Sequence, residues 1–364
     1  MAKAESEVRK ASERKIATIE IVGLILVGLS LIGLFFGANT VAGIFDAMVN
    51  RAFIIFKVFI FGGKVGIAII VSVMTGRILE RLGFTDALIR IFVPIMRYVG
   101  VNSAVVIPGV YNILGDINAA GRIAGPILVK ANATKDEQKI AIATMVQSQQ
   151  SFSTFMLGML AMTAVGIKVF PVIILVLFAP LVLVPLLLRL TIYRNTKAVS
   201  LDHLPRFTPN TPALPTIFGA AREGAELLFL LIIPAGAVIY AIIGGLDFLG
   251  IWQPINDTLT KLLTAISIHP ETGILSVMVS PTLAMGTLAQ TVKETAVAPA
   301  LVLGSFVLAS SGFPLSVIFG QIPAVWAEVT DLTEKEAMGA AVLGSVMRFI
   351  TAALIALFLT PLFV

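Results

Sequence analysis

The chain has 364 residues, of which 57% are hydrophobic and only 13% charged, and its mean hydropathy is +0.98. Soluble domains carry roughly 25% charged residues, so this composition excludes an ordinary soluble enzyme and predicts an all-α polytopic membrane protein in contact with a lipid bilayer. The apolar stretches are too long and continuous for outer-membrane strands, which alternate over ~10 residues, and the net charge of +5 is spread over loops, which argues against a nucleic-acid partner.

In chain order, the polar segment to Lys15 precedes an apolar run, Ile16 to Gly37, longer than a signal-peptide core and read as a retained first span. A short connector, Ala38 to Asn50, leads to a second span, Phe53 to Thr75, with Lys64 inside it. Thr85 to Val99 is amphipathic, with Arg90 and Arg97 on one face, as in a helix lying on a membrane surface. Ala104 to Lys130 is apolar but interrupted at Gly115-Asp116-Ile117-Asn118-Ala119-Ala120-Gly121-Arg122, where a re-entrant hairpin of two half-membrane helices would turn. Thr134 with Glu137 three residues on predicts a helix N-cap.

Next comes the most polar stretch inside an apolar run, Gln147 to Thr154, in which seven of eight residues are polar. Such a block at mid-membrane predicts a helix broken beside a ligand or a wet cavity; the alternative is a stripe that glues two helices by hydrogen bonds. Val169 to Leu190 is a further span, and the proline-bearing connector from Arg189 to Arg222 reads as extended chain.

The second half reuses this order: a span over Glu226 to Ile243, an amphipathic piece over Trp252 to Ile268, an interrupted stretch over Gly273 to Val292, a span over Ala296 to Gly320 broken at Ser310 to Pro314, and a last span over Ala337 to Val364. Leu82-Gly83 answers to Leu249-Gly250, and Gln150-Ser151-Phe152 to Ser311-Gly312-Phe313. The expected organisation is residues 1–52 as cytoplasmic N-terminus, first helix and connector, residues 53–190 as a first repeat, residues 191–222 as a cytoplasmic linker and residues 223–364 as a second repeat. If both hairpins re-enter, most Lys and Arg residues fall on the cytoplasmic side with the N-terminus, whereas a full crossing of the first hairpin would divide them almost evenly. Re-entry gives seven spans and makes the repeats inverted. Interrupted segments at matching places in two half-chains point to a transporter's binding site.

At Gly115 to Arg122 and Gln147 to Thr154, within this doubled hairpin and broken-helix layout, the chain resembles the nucleoside-recognition, or Gate, family of bacterial membrane proteins, distantly related to concentrative nucleoside transporters. The resemblance covers about Phe53 to the C-terminus and implies an elevator, in which hairpins and broken helices carry a solute past a scaffold in a bacterial or archaeal cytoplasmic membrane.

Asn112, Asn118, Gln147, Gln149 and Gln150 offer donors and acceptors suited to a small polar solute, together with Ser151 and, in the second half, Thr282, Gln290, Ser310 and Ser311. Asp116 and Arg122 either neutralise each other or couple transport to Na⁺ or H⁺. Without cysteine, and with His203 and His269 as the only histidines, no metal or other cofactor is expected. Enzymatic function is not expected, since no phosphate-binding or nucleophile motif is present. The functional expectation is an ion-coupled secondary transporter, as a monomer or homo-oligomer. The competing expectation is a membrane scaffold of the same family that transports nothing.

Overall fold

A computed structural model describes residues 17–61, 64–148, 151–201 and 203–364; for Phe61 and Asn118 it describes the backbone only. Every regular element among the described residues is helical. Four helices are long and apolar enough to cross a membrane: α1 (Thr18–Ile60), α8 (Val169–Thr191), α9 (Ala213–Phe248) and α15 (Glu334–Phe363).

The first of these corrects the expected start of the chain. The connector Ala38 to Asn50 is not a separate surface piece, because α1 continues through it to Ile60. At 1.5 Å per residue its 43 residues would run about 65 Å, twice a bilayer's hydrocarbon core, and Gly37, with φ −148° and ψ 38°, divides it into two arms. The second arm packs on α9, where a Cβ on Gly244 would stand 2.5 Å from the carbonyl oxygen of Ala47. Nor is Phe53 to Thr75 one span: its parts belong to α1 and to α2 (Val65–Arg81), with Lys64 between them. Among the described residues four helices, not seven, are long and apolar enough to cross a membrane, and the two spans expected to be broken, at Gln147 to Thr154 and at Ser310 to Pro314, are pairs of shorter helices.

The amphipathic segment is α3 (Phe84–Val99). It buries Leu88, Ile89, Phe92, Val93 and Met96 and exposes Arg90 and Arg97. A 3₁₀ turn, Ser103–Val106, leads into α4 (Ile107–Asn112), and residues 113–116 separate it from α5 (Ile117–Lys130). Helix α6 (Lys135–Gln147) opens with the expected capping box: Glu137 donates its N–H to Thr134 Oγ1 at 3.2 Å, and Glu137 Oε2 accepts from Thr134 N–H at 2.8 Å. After residues 148–151 the chain resumes as α7 (Phe152–Ala164).

The connector is extended, but it ends at Pro212, where α9 begins ten residues sooner than expected. It is tethered to the first half. Glu137 accepts the Lys197 N–H at 2.7 Å, and Asp86 accepts the Phe207 N–H at 2.7 Å. Then follow α10 (Trp252–Ala265), α11 (Pro270–Met278), α12 (Pro281–Glu294), α13 (Pro299–Ala309) and α14 (Val317–Val329).

The order α2 to α8 thus recurs as α9 to α15. Gly83 and Gly250, both at positive φ (84° and 71°), make the same corner after the first helix of each series. The halves interlock through small residues, as membrane helices do when close approach replaces hydrophobic drive. Helix α5 packs on α14, with Gly121 against Trp326 and Gly125 against Val329, while α7 packs on α12 and, through Gly158, on Phe306 of α13. Helix α6 lies against α15, where a Cβ on Gly344 would stand 3.0 Å from the Ala143 carbonyl oxygen.

Candidate functional site

The four interruptions, between α4 and α5, α6 and α7, α11 and α12, and α13 and α14, meet around one cavity of about 630 Å³. Residues 114–116, 151–153 and 279–282, together with Pro314, Ser316 and Val317, line it, and α2 and α9 close the remaining wall. Its volume falls within the ~300–1,000 Å³ of small-molecule sites.

Each interruption is followed by a helix start, so the N-termini of α5, α7, α12 and α14 border the cavity. Their aligned peptide dipoles make that side partly positive. Two starts are capped in the same way, three residues apart: Asp116 Oδ1 accepts from Ala119 N–H at 3.1 Å, and Ser280 Oγ from Leu283 N–H at 3.4 Å. Thr154 and Thr282 join α7 to α12, their hydroxyl oxygens 2.8 Å apart. Ser153 is fully buried, and its hydroxyl has no partner among the described residues.

The wall from α2 and α9 is ionic. Arg77 donates Nε and Nη2 to the two carboxylate oxygens of Glu223, at 2.9 and 2.6 Å, and Nη1 to Glu80 at 2.7 Å. This bidentate pair joins the two halves beside the cavity. Glu226, also in the lining, accepts from Arg222 Nε at 2.8 Å.

The structure divides the expected site residues. Ser151, Thr282 and Asp116 line the cavity. Gln149 and Gln150 lie outside the described residues, as does the side chain of Asn118, whose backbone is in the first turn of α5. Gln147 is buried and directed elsewhere: its Nε2 donates to the Gly344 carbonyl at 2.9 Å, so here the helix-gluing alternative holds. Asn112 Nδ2 and Ser148 Oγ both donate to the Met145 carbonyl, at 3.4 and 2.7 Å, one of those freed at the end of α6. Ser310 and Ser311 are buried outside the lining; the Ser311 hydroxyl donates to the Leu308 carbonyl. Gln290 is two turns along α12 from Thr282, roughly 12 Å at the helical rise, and donates to Glu294. Arg122 sits on the exposed face of α5 with Pro126 and Val129, outside the lining that holds Asp116.

Arg348 is a cation inside the apolar helix α15, where a snorkelling side chain or a carboxylate partner is the ordinary arrangement. It is instead fully buried and donates to backbone carbonyls at the end of α13, to Val307 through Nε at 2.6 Å and to Ser310 through Nη2. A cation there also meets the negative end of that helix's dipole. The break after α6 is closed by a backbone donor from the other half: Gly312 N–H bonds the Val146 carbonyl at 2.8 Å.

Ser153 and the Arg77–Glu223 pair were not singled out from sequence. The i, i+3 spacing of Arg77 and Glu80 was visible, but Glu223 lies 146 residues away, and no local pattern links them. Comparison with protein-family models, curated proteins and solved structures gives no match.

Proposed function

We propose that the chain is a secondary transporter of a small polar solute, built as two inverted repeats with re-entrant hairpins at α4–α5 and α11–α12 and working by an elevator movement. The observation that carries this reading is the meeting of four chain interruptions at one cavity. Broken helices deep in a membrane leave backbone groups unpaired, an arrangement tolerated where they line a site or a wet cavity. The matched order of α2 to α8 and α9 to α15, the reciprocal packing of α5 on α14 and α7 on α12, and the excess of basic residues on one side under re-entry support the inverted topology. The resemblance to the Gate family agrees with it. On this reading the protein sits in a bacterial or archaeal cytoplasmic membrane with its N-terminus inside, and Asp116 is the site of Na⁺ or H⁺ coupling.

Uptake of radiolabelled solutes into liposomes holding the purified chain tests the proposal. A transporter gives saturable accumulation that follows an imposed Na⁺ or H⁺ gradient. Uptake equal to that of empty liposomes for nucleosides, amino acids and carboxylates alike would leave the scaffold reading in its place.

A further inference from the structure

One stretch of the connector, Arg206 to Thr211, is anchored to the first half at both ends. Asp86, in the first turn of α3, accepts the Phe207 N–H at 2.7 Å, the Thr208 N–H at 3.2 Å and the Thr208 hydroxyl, with Arg206 Nε 3.9 Å away. Hydrogen bonds to an ionised carboxylate are roughly twice as strong as neutral ones. At the other end Arg81 Nε donates to the Thr211 carbonyl at 2.7 Å. Between these anchors the Phe207 ring meets the Tyr111 ring edge to face, with centroids 5.5 Å apart and planes at 72°. Tyr111 belongs to α4, and its ring lies over the turn that follows. A Cβ on Gly115 would stand 2.7 Å from that ring, and Gly115 donates its N–H to the Tyr111 carbonyl at 3.0 Å. Gly115 itself lines the cavity. A line of contacts therefore runs from Asp86 through Phe207 and Tyr111 to the cavity wall.

The matching interruption in the second half is built without such a clasp. Helices α11 and α12 and the turn between them contain no aromatic residue. That turn is closed by its own backbone, with Val279 and Ser280 both donating to the Leu275 carbonyl at 2.9 Å. The two tips are alike in chain order and unlike in restraint.

We propose that the connector is a latch on the α4–α5 tip: while Phe207 is seated on Tyr111 the tip is held against the cavity, and it moves only when that ring is lifted. The latch matters as control of access to a solute site, and in this it rests on the transport reading. Ordinary surface packing of the connector would stabilise the whole fold; a latch restrains one tip and leaves its counterpart alone.

Hydrogen exchange of the purified full chain, read by mass spectrometry and without any solute, tests this. Phe207→Ala is expected to speed exchange of residues 111–121 by about two- to tenfold, the weight of one edge-to-face ring pair, while residues 275–284 exchange as in the parent. Phe207→Tyr, which keeps the ring, is expected to restore the parent rate. Asp86→Ala, which removes the anchor, is expected to act as Phe207→Ala does; if it fails to fold, Phe207→Ala decides alone, because it leaves the backbone bonds to Asp86 in place. Unchanged exchange of residues 111–121 in Phe207→Ala, or equal acceleration at both interruptions, overturns the latch. A parent chain that shows no saturable uptake while the exchange difference holds overturns the transport reading and not the latch.

Discussion

The backbone N–H of Gly312 bonds the carbonyl oxygen of Val146 across 2.8 Å, so the break in one half of the chain is closed by the break in the other. A Cβ at Gly312 would stand 2.9 Å from Ile117 Cδ1 and 3.2 Å from Val146 Cα, the latter a backbone atom that cannot turn aside. Gly312→Ala is expected to destabilise the protein by about 1–3 kcal/mol through overpacking. Thermal melting checks this; a variant as stable as the parent would mean that the two breaks are not in contact.

Thr154 and Thr282 offer a cleaner measurement of the interface between halves. Either single change to Val leaves a buried hydroxyl without its partner, costing about 1–3 kcal/mol, whereas the double change removes both groups and costs far less. A double-mutant cycle on melting free energies should therefore show clear coupling. Strictly additive losses would place the two hydroxyls apart.

Gln147 separates structure from binding. Because its amide is committed to the Gly344 carbonyl, Gln147→Leu is expected to lose about 1 kcal/mol of stability or somewhat more, with solute affinity unchanged. Ser153→Ala should behave in the opposite way. Loss of uptake in Gln147→Leu at temperatures where it remains folded would return this residue to the binding site.

The proposed re-entrant topology would place Arg97 and Lys130 on the same side of the membrane. The chain has no native cysteine to remove, so Arg97→Cys and Lys130→Cys can be labelled singly in sealed vesicles with an impermeant maleimide. Labelling of both from one side is the expected outcome. Labelling from opposite sides would make residues 104–130 a full crossing and end the inverted-repeat reading.

Helix ends and interruptions were legible because they are written locally. The Thr134–Glu137 capping box, the interruption within Gly273 to Val292 and the Ser310 to Pro314 break all depend on residues within a few positions of one another. The uses of the polar side chains were not. Gln147 and Ser153 lie within one polar block, yet one binds a carbonyl nearly two hundred residues away and the other lines the cavity. Composition told that the block is polar, while its division was decided by which face of each half-helix meets α15, α12 or open space. Arg348 shows the same limit: its partners are the Val307 and Ser310 carbonyls, which only a broken neighbouring helix presents, and nothing local to Arg348 announces them.

The packing of α1 has a consequence for how the protein is made. Its first arm carries apolar residues on all sides, and added Cβ atoms at Gly23 and Gly28 would meet nothing within 4 Å; its second arm packs on α9. During synthesis α9 starts about 150 residues after α1 is complete, a delay on the order of 10–30 s at ~5–20 residues per second. For that interval α1 is without its α9 partner, which the apolar sides of its first arm permit in lipid. The small-residue contacts at Gly236 and Gly244 close only when the second half of the nascent chain arrives, so the first arm can be exchanged for another apolar helix without disturbing assembly of the cavity.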